Sequence, residues 1–270
     1  MKINTRNMNP NFTIVLPGPC QANCDFCFWK RDTNENAFLK SLKRVLKKLP
    51  NYFTQISISG GEPTISPVFD ETLKLIRKYK KKGKFNKVVL TTNGFKLKEK
   101  NLKGIDHVNF SRHSVFDLNN YEIFNTKKVS QASHIHEIIN HVNSFGIDVN
   151  FNVVRTNEKM GTLQEWISFA KIVNVQSITF RNQYGDYTES EYQKELKDKG
   201  IQSAKRSQCP VCKTVEYNYF GMKLKFHSSD YEPTESSVFD SNEVYEVILH
   251  PNGDLTRDWE GKKIILKKRL

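Results

Sequence analysis

A chain of 270 residues with 37% hydrophobic and 11% aromatic content is long enough for one sizeable core and too apolar for global disorder. Its five cysteines form two clusters, Cys20, Cys24 and Cys27 near the start and Cys209 and Cys212 near the end, a pattern that argues against a secreted disulfide framework. Lys and Arg number 42 against 29 Asp and Glu, for a net charge of +13, and no apolar run approaches the roughly 18 residues of a membrane span, so a cytoplasmic protein without a membrane partner is expected.

In chain order, short β-branched and aromatic runs predict six strands: TIVLPG from Thr13, QISIS from Gln55, KVVLTT from Lys87, HVNFS from His107, DVNFNVV from Asp148 and SITFR from Ser177. Helical periodicity fills most of the gaps, from Glu35, Ser66, Ala132 and Thr162. In the first of these, Phe38, Leu39, Leu42, Val45, Leu46 and Leu49 share one side. The link after the third strand is weaker as a helix, and Tyr121 to Phe124 adds a short turn. Strand and helix in alternation imply βαβ units and a mainly parallel sheet with right-handed crossovers. Beyond about Lys199 the pattern changes to two hairpins, one around Gly221 and one with an Asn252-Gly253 turn. The expectation is an α/β chain with a barrel over residues 1–200 and a C-terminal hairpin extension or lid over 201–270.

The spacing C-x3-C-x2-C follows directly on the first strand. Three thiolates on one tight loop can each hold an iron of a cubane cluster and leave the fourth iron open to a small ligand. A structural zinc site is the competing reading, and it needs a fourth ligand from elsewhere in the chain. Unusual polar groups recur at the carboxyl ends of the expected strands: Glu62, Asn93, Ser111 with Arg112 and His113, Asn152 with Arg155, and Arg181 with Asn182. That end of a parallel barrel is where chemistry gathers.

The cysteine loop, with Phe26 before its last cysteine, resembles the signature of the radical S-adenosylmethionine (radical SAM) superfamily, and the branch it is most similar to is the molybdenum-cofactor enzyme type. Further motifs occur in family order over about residues 12–182. Gly60-Gly61-Glu62-Pro63 is similar to the segment that receives the SAM amino group. Thr92 and Asn93 end the third strand, Ser111 matches a SAM contact, and Asn152 lies in an NxV-like segment. The resemblance implies a partial (β/α)6 TIM-type barrel, a [4Fe-4S] cluster on Cys20, Cys24 and Cys27, and bound S-adenosyl-L-methionine. It implies an external one-electron donor of flavodoxin or ferredoxin type. SAM would be cleaved reductively, and the 5′-deoxyadenosyl radical would take a hydrogen atom from substrate.

Within this frame His113 and Arg112 are expected to act on substrate, and Arg155 and Arg181 to bind a carboxylate or phosphate of substrate or SAM. Cys209 and Cys212 are half of a second metal site; the third cysteine of the family pattern is absent, and His227 is the nearest replacement, with His250 a further candidate. Redox-active or plain structural cysteines compete with that reading. Twelve basic residues between Lys74 and Lys103 against the single acid Glu99 admit a nucleic-acid partner, and with the arginines they favour a nucleotide-like substrate. Peptide or small-metabolite modification, glycyl-radical activation and a non-enzymatic metal scaffold are the alternatives.

Overall fold

The computed structural model describes residues 11–27, 33–50, 53–156, 159–183, 186, 188–207, 213–228, 246–261 and 264–266. Its strands are β1 (Asn11–Leu16), β2 (Gln55–Gly60), β3 (Lys87–Thr92), β4 (His107–Ser111), β5 (Asp148–Val154), β6 (Ser177–Arg181), β7 (Lys205–Arg206), β8 (Val215–Tyr219), β9 (Met222–His227), β10 (Glu246–Leu249), β11 (Leu255–Thr256) and β12 (Ile264–Leu266). Its α-helices are α1 (Glu35–Lys48), α2 (Phe69–Lys80), α3 (Asp117–Ile123), α4 (Ala132–Asn143), α5 (Leu163–Ile172) and α6 (Glu191–Asp198). This is an α/β fold with mostly parallel strands.

Two compact units divide the chain. The first takes residues 1–21, 28–108 and 240–270, the second residues 22–27 and 109–239. In the first unit the strands run β12-β11-β10-β1-β2-β3. β10, β1, β2 and β3 are parallel, with Thr13 opposite Ser57 on one side and Ile248 on the other. α1 begins where the Asn34 side chain accepts from Ala37 N, and its Phe38, Leu42, Val45 and Leu46 are buried. Each of these large side chains contributes about 1.5–3 kcal/mol by leaving water.

The second unit orders its strands β4-β5-β6-β9-β8-β7, with β5, β6 and β9 parallel. Alternation decides what each face carries. Val108 (the last first-unit residue of β4), Phe110, Val149, Phe151, Val153, Ile178, Phe180, Leu224 and Phe226 are buried. An aromatic cluster holds this core: Phe151 stacks on Phe169 at 5.5 Å and meets Trp166 at 5.9 Å, and Phe180 stacks on Phe226 at 5.4 Å. α5 opens on a capping box in which Thr162 and Glu165 satisfy each other's backbone N–H groups.

All six expected strands form, and both C-terminal hairpins form as β8-β9 and β10-β11. The expected division at residue 200 is replaced by a different one. β9 extends the second unit beside β6 and β10 extends the first beside β1, both in parallel, so these segments are strands of the sheets and not a separate lid. The hydrophobic alternation in Met222–His227 and the buried run Glu246–Leu249 explain it, since both need a neighbouring strand to cover them. α2 starts three residues later than expected because Pro63–Ile65 takes a 3-10 turn first. α6, mostly charged and with Leu196 buried, was not evident from periodicity.

Candidate active site

The cysteine loop begins in the first unit. Glu62 N donates to Pro19 O at 3.2 Å, and Gln21 Nε2 donates to Asn93 Oδ1 at 2.9 Å. Gly61 lies so close beneath the loop that a Cβ there would come within 2.9 Å of Pro19 O and 3.0 Å of the Cys20 Cβ. Gly60, at φ +153°, faces the β1 backbone, where a Cβ would meet Leu16 O at 2.9 Å. The two glycines of the motif are therefore requirements of close backbone approach.

Glu62 ties this corner together. Its Oε1 accepts from Thr64 N at 3.0 Å, Thr64 Oγ1 at 2.7 Å and Thr92 Oγ1 at 2.5 Å, and its Oε2 accepts from Asn93 N at 2.8 Å. Burial pushes the carboxyl above its usual range, while the bonds from Thr92, Thr64 and Asn93 pull the other way. With Glu62, Pro63, Thr92 and Asn93 buried, the half-exposed Gly60-Gly61 backbone is what this segment leaves open to a ligand.

The loop's second half belongs to the second unit. Asn23 N donates to Phe124 O at 2.9 Å, and Cys27 N closes a turn on Cys24 O at 3.0 Å. Phe26 rests edge-on against the His113 ring at 5.3 Å, and that ring stacks on Phe124 at 4.8 Å. His113 is buried, and its Nδ1 accepts from Val154 N at 3.0 Å. Burial and then the Arg112 charge push its pKa down to about 3, so the imidazole is neutral near pH 7. It is placed as a post under the cysteine loop.

Arg112 is also buried, where the sequence led us to expect a group reaching substrate. Its guanidinium donates to Ser130 O at 3.0 Å, Val115 O at 3.1 Å and Asp117 Oδ1 at 2.7 Å, and it lies over the Phe169 ring at 5.1 Å. Arg155 is held by Asp186 and Thr188 Oγ1 and by the Glu189 carbonyl at 3.3 Å. These two arginines serve their own loops.

The polar face of the second unit has a satisfied floor and an open rim. On the floor, Asn150 Nδ2 donates to Asn109 Oδ1 at 3.1 Å, while Asn150 Oδ1 accepts from Ser177 at 2.8 Å and Thr179 at 3.0 Å. On the rim, Ser111, Asn152 and Arg181 are half-exposed, and among the described residues their side chains have no hydrogen-bond or ion-pair partner. Register sets His227 of β9 beside Arg181. Burial and the Arg181 charge hold His227 well below the usual histidine range. From the sequence, His227 reads only as a substitute metal ligand in a hairpin; the alternation Met222-Lys223-Leu224-Lys225-Phe226-His227 is the signal that β9 lines the polar face beside β6.

Cys20 and Cys24 are half-buried and Cys27 is exposed, and none of the three is in a disulfide. Among the described residues no group of three or more His, Cys, Asp or Glu converges as a single-ion site. A cubane cluster does not ask for that convergence, because each thiolate takes a different iron. Three cysteines spaced on one loop, the first of them held against Gly61, fit such a group. Cys209 and Cys212 lie outside the described residues. His250 Nε2 meets Thr256 Oγ1 at 2.7 Å inside the β10-β11 hairpin of the first unit.

The sequence matches the family model described as the Radical SAM superfamily over residues 14–170, more than half of the chain. The chain belongs to the radical SAM superfamily. Membership implies a [4Fe-4S] cluster and S-adenosylmethionine as cofactors of this enzyme family. Among curated proteins, this radical SAM chain is 30% identical over 152 residues to a probable GTP 3′,8-cyclase of Thermoplasma volcanium, covering 53% of this chain and 44% of the relative. It is 26% identical over 184 residues to an S-adenosylmethionine-dependent nucleotide dehydratase of Flammeovirga pacifica, covering 63% and 62%. The radical SAM chain thus spans less than two thirds of either relative. Among solved structures, Streptococcus suis SuiB bound to precursor peptide SuiA superimposes with a TM-score of 0.63 at 16% identity, over 96% of this chain and 62% of that one, a likeness of fold.

Proposed function

We propose that the chain is a radical SAM enzyme acting on a free nucleotide-like substrate in the cytoplasm, with an external one-electron donor. Supplied with an electron, the bound cluster and SAM would give the 5′-deoxyadenosyl radical that removes a hydrogen atom from substrate. The observation that carries the reading is the anchoring of the cysteine loop by the Gly60-Gly61-Glu62-Pro63 turn within the matched family region. The nucleotide assignment is supported by the two curated relatives, a probable GTP 3′,8-cyclase and a nucleotide dehydratase.

Each residue has a task in this reading. Cys20, Cys24 and Cys27 hold the cluster. The Gly60-Gly61 backbone, with Glu62 fixed beside it, would receive the SAM amino group. Ser111 and Asn152, unpaired on the rim, are open to hydrogen-bond SAM. His113 and Phe26 keep the loop in place and water away from its underside. Among the described residues no helix is long and apolar enough to cross a membrane. The test is anaerobic reconstitution with iron, sulfide and SAM, followed by dithionite. Formation of 5′-deoxyadenosine, raised by one member of a nucleotide panel, is expected; a full cluster with no cleavage would refute the reading.

A further inference from the structure

The rim of the second unit changes character from β4 to β9. Ser111 and Asn152 are neutral, whereas Arg181 and its register partner His227 follow on β6 and β9, with Lys225 one step below, opposite Thr179. The floor beneath is already closed by the hydrogen bonds among Asn109, Asn150, Ser177 and Thr179, so it makes no demand on Arg181. Glu216 faces Lys225 from β8, which leaves Arg181 as the cation on this rim without an acidic partner among the described residues. A half-exposed guanidinium at the carboxyl end of a parallel strand offers a planar fork of donors, and that fork matches phosphate oxygens.

We propose that Arg181 and His227, with Lys225 behind them, form a subsite for the phosphate end of the substrate. The inference rests on the nucleotide reading and adds to it which strand ends receive which part of the molecule: Ser111 and Asn152 on the SAM side, β6 and β9 on the phosphate side. Arg181 supplies the fork, with His227 beside it on the next strand. No covalent step is involved.

The experiment is calorimetric binding to the reconstituted chain of nucleoside triphosphates, the matching nucleosides and inorganic tripolyphosphate. The expected result is that one triphosphate binds at least about tenfold more tightly than its nucleoside. Arg181→Gln should weaken both the triphosphate and tripolyphosphate by about tenfold, with Arg181→Lys recovering part and the nucleoside unaffected. Lys225→Gln with His227→Gln is an independent second variant, and Lys78→Ala with Lys81→Ala, on the outer face of α2 and just beyond it, should change nothing. Equal triphosphate binding by wild type and both rim variants, or no binding of any phosphate probe, overturns the proposal. Arg181-dependent binding of tripolyphosphate without preference for any nucleotide would uphold the anion subsite and remove the nucleotide reading.

Discussion

Glu62 and His113 are the buried ionisable groups on which the cysteine loop rests, and each makes a separate prediction. All four bonds to the Glu62 carboxylate come from donors. Glutamine offers one acceptor and one donor, so Glu62→Gln should not rescue what Glu62→Ala loses. We predict both variants to be destabilised by about 2–4 kcal/mol in urea unfolding; a Gln variant as stable as wild type would sink the bracing role. For His113, the folded pKa of about 3 lies below the unfolded value near 6.5. Between these values the unfolded chain binds more protons, so the histidine's contribution is present above about pH 6.5 and lost as pH falls toward 3. His113→Gln should therefore show a shallower fall of Tm between pH 7 and pH 4 than wild type. Parallel curves would count against a buried neutral imidazole.

Between single elements, the close approach of the Gly60-Gly61 turn to the cysteine loop is the critical contact. A methyl at Gly61 would have to displace the Pro19 carbonyl or the Cys20 Cβ. Gly61→Ala is expected to reduce iron bound per chain on reconstitution by half or more while far-ultraviolet circular dichroism stays unchanged; full iron loading would contradict the contact. At α5, Thr162→Ala should cost about 1 kcal/mol through loss of the capping box, without any change in iron content.

The strands of this sheet were legible because each is a short β-branched run with polar residues at its carboxyl end, and the site motifs followed from the same positions. What was not legible was pairing. Nothing local in Met222–His227 or Glu246–Leu249 says that these strands add in parallel to β6 and β1, since their partners are about 45 and 235 residues away in sequence. Burial of Arg112 and His113 was hidden for the same reason. Their polarity suggested substrate contact, but Asp117, Ser130, Val154 and Phe124 reach them through tertiary packing.

For the molecule as a whole, the positive charge is concentrated outside the site. Lys74, Lys78, Lys81, Lys82, Lys87, Lys96, Lys98 and Lys103 are exposed, whereas Arg77 is bound to the Lys103 carbonyl at 3.2 Å and Lys80 is paired with Asp106. A lysine-rich solvated face attracts anions weakly and is screened by salt. We expect oligonucleotide binding by anisotropy to vanish by about 0.15 M salt; binding that persists there would make nucleic acid a partner. The cofactor chemistry is tested most directly by quantifying 5′-deoxyadenosine after anaerobic reduction of the reconstituted chain with SAM. Product from wild type and none from Cys24→Ala, which should also lose the cluster, is the predicted result. A fully loaded wild type that releases no 5′-deoxyadenosine, or a Cys24→Ala variant that cleaves as well as wild type, would contradict it.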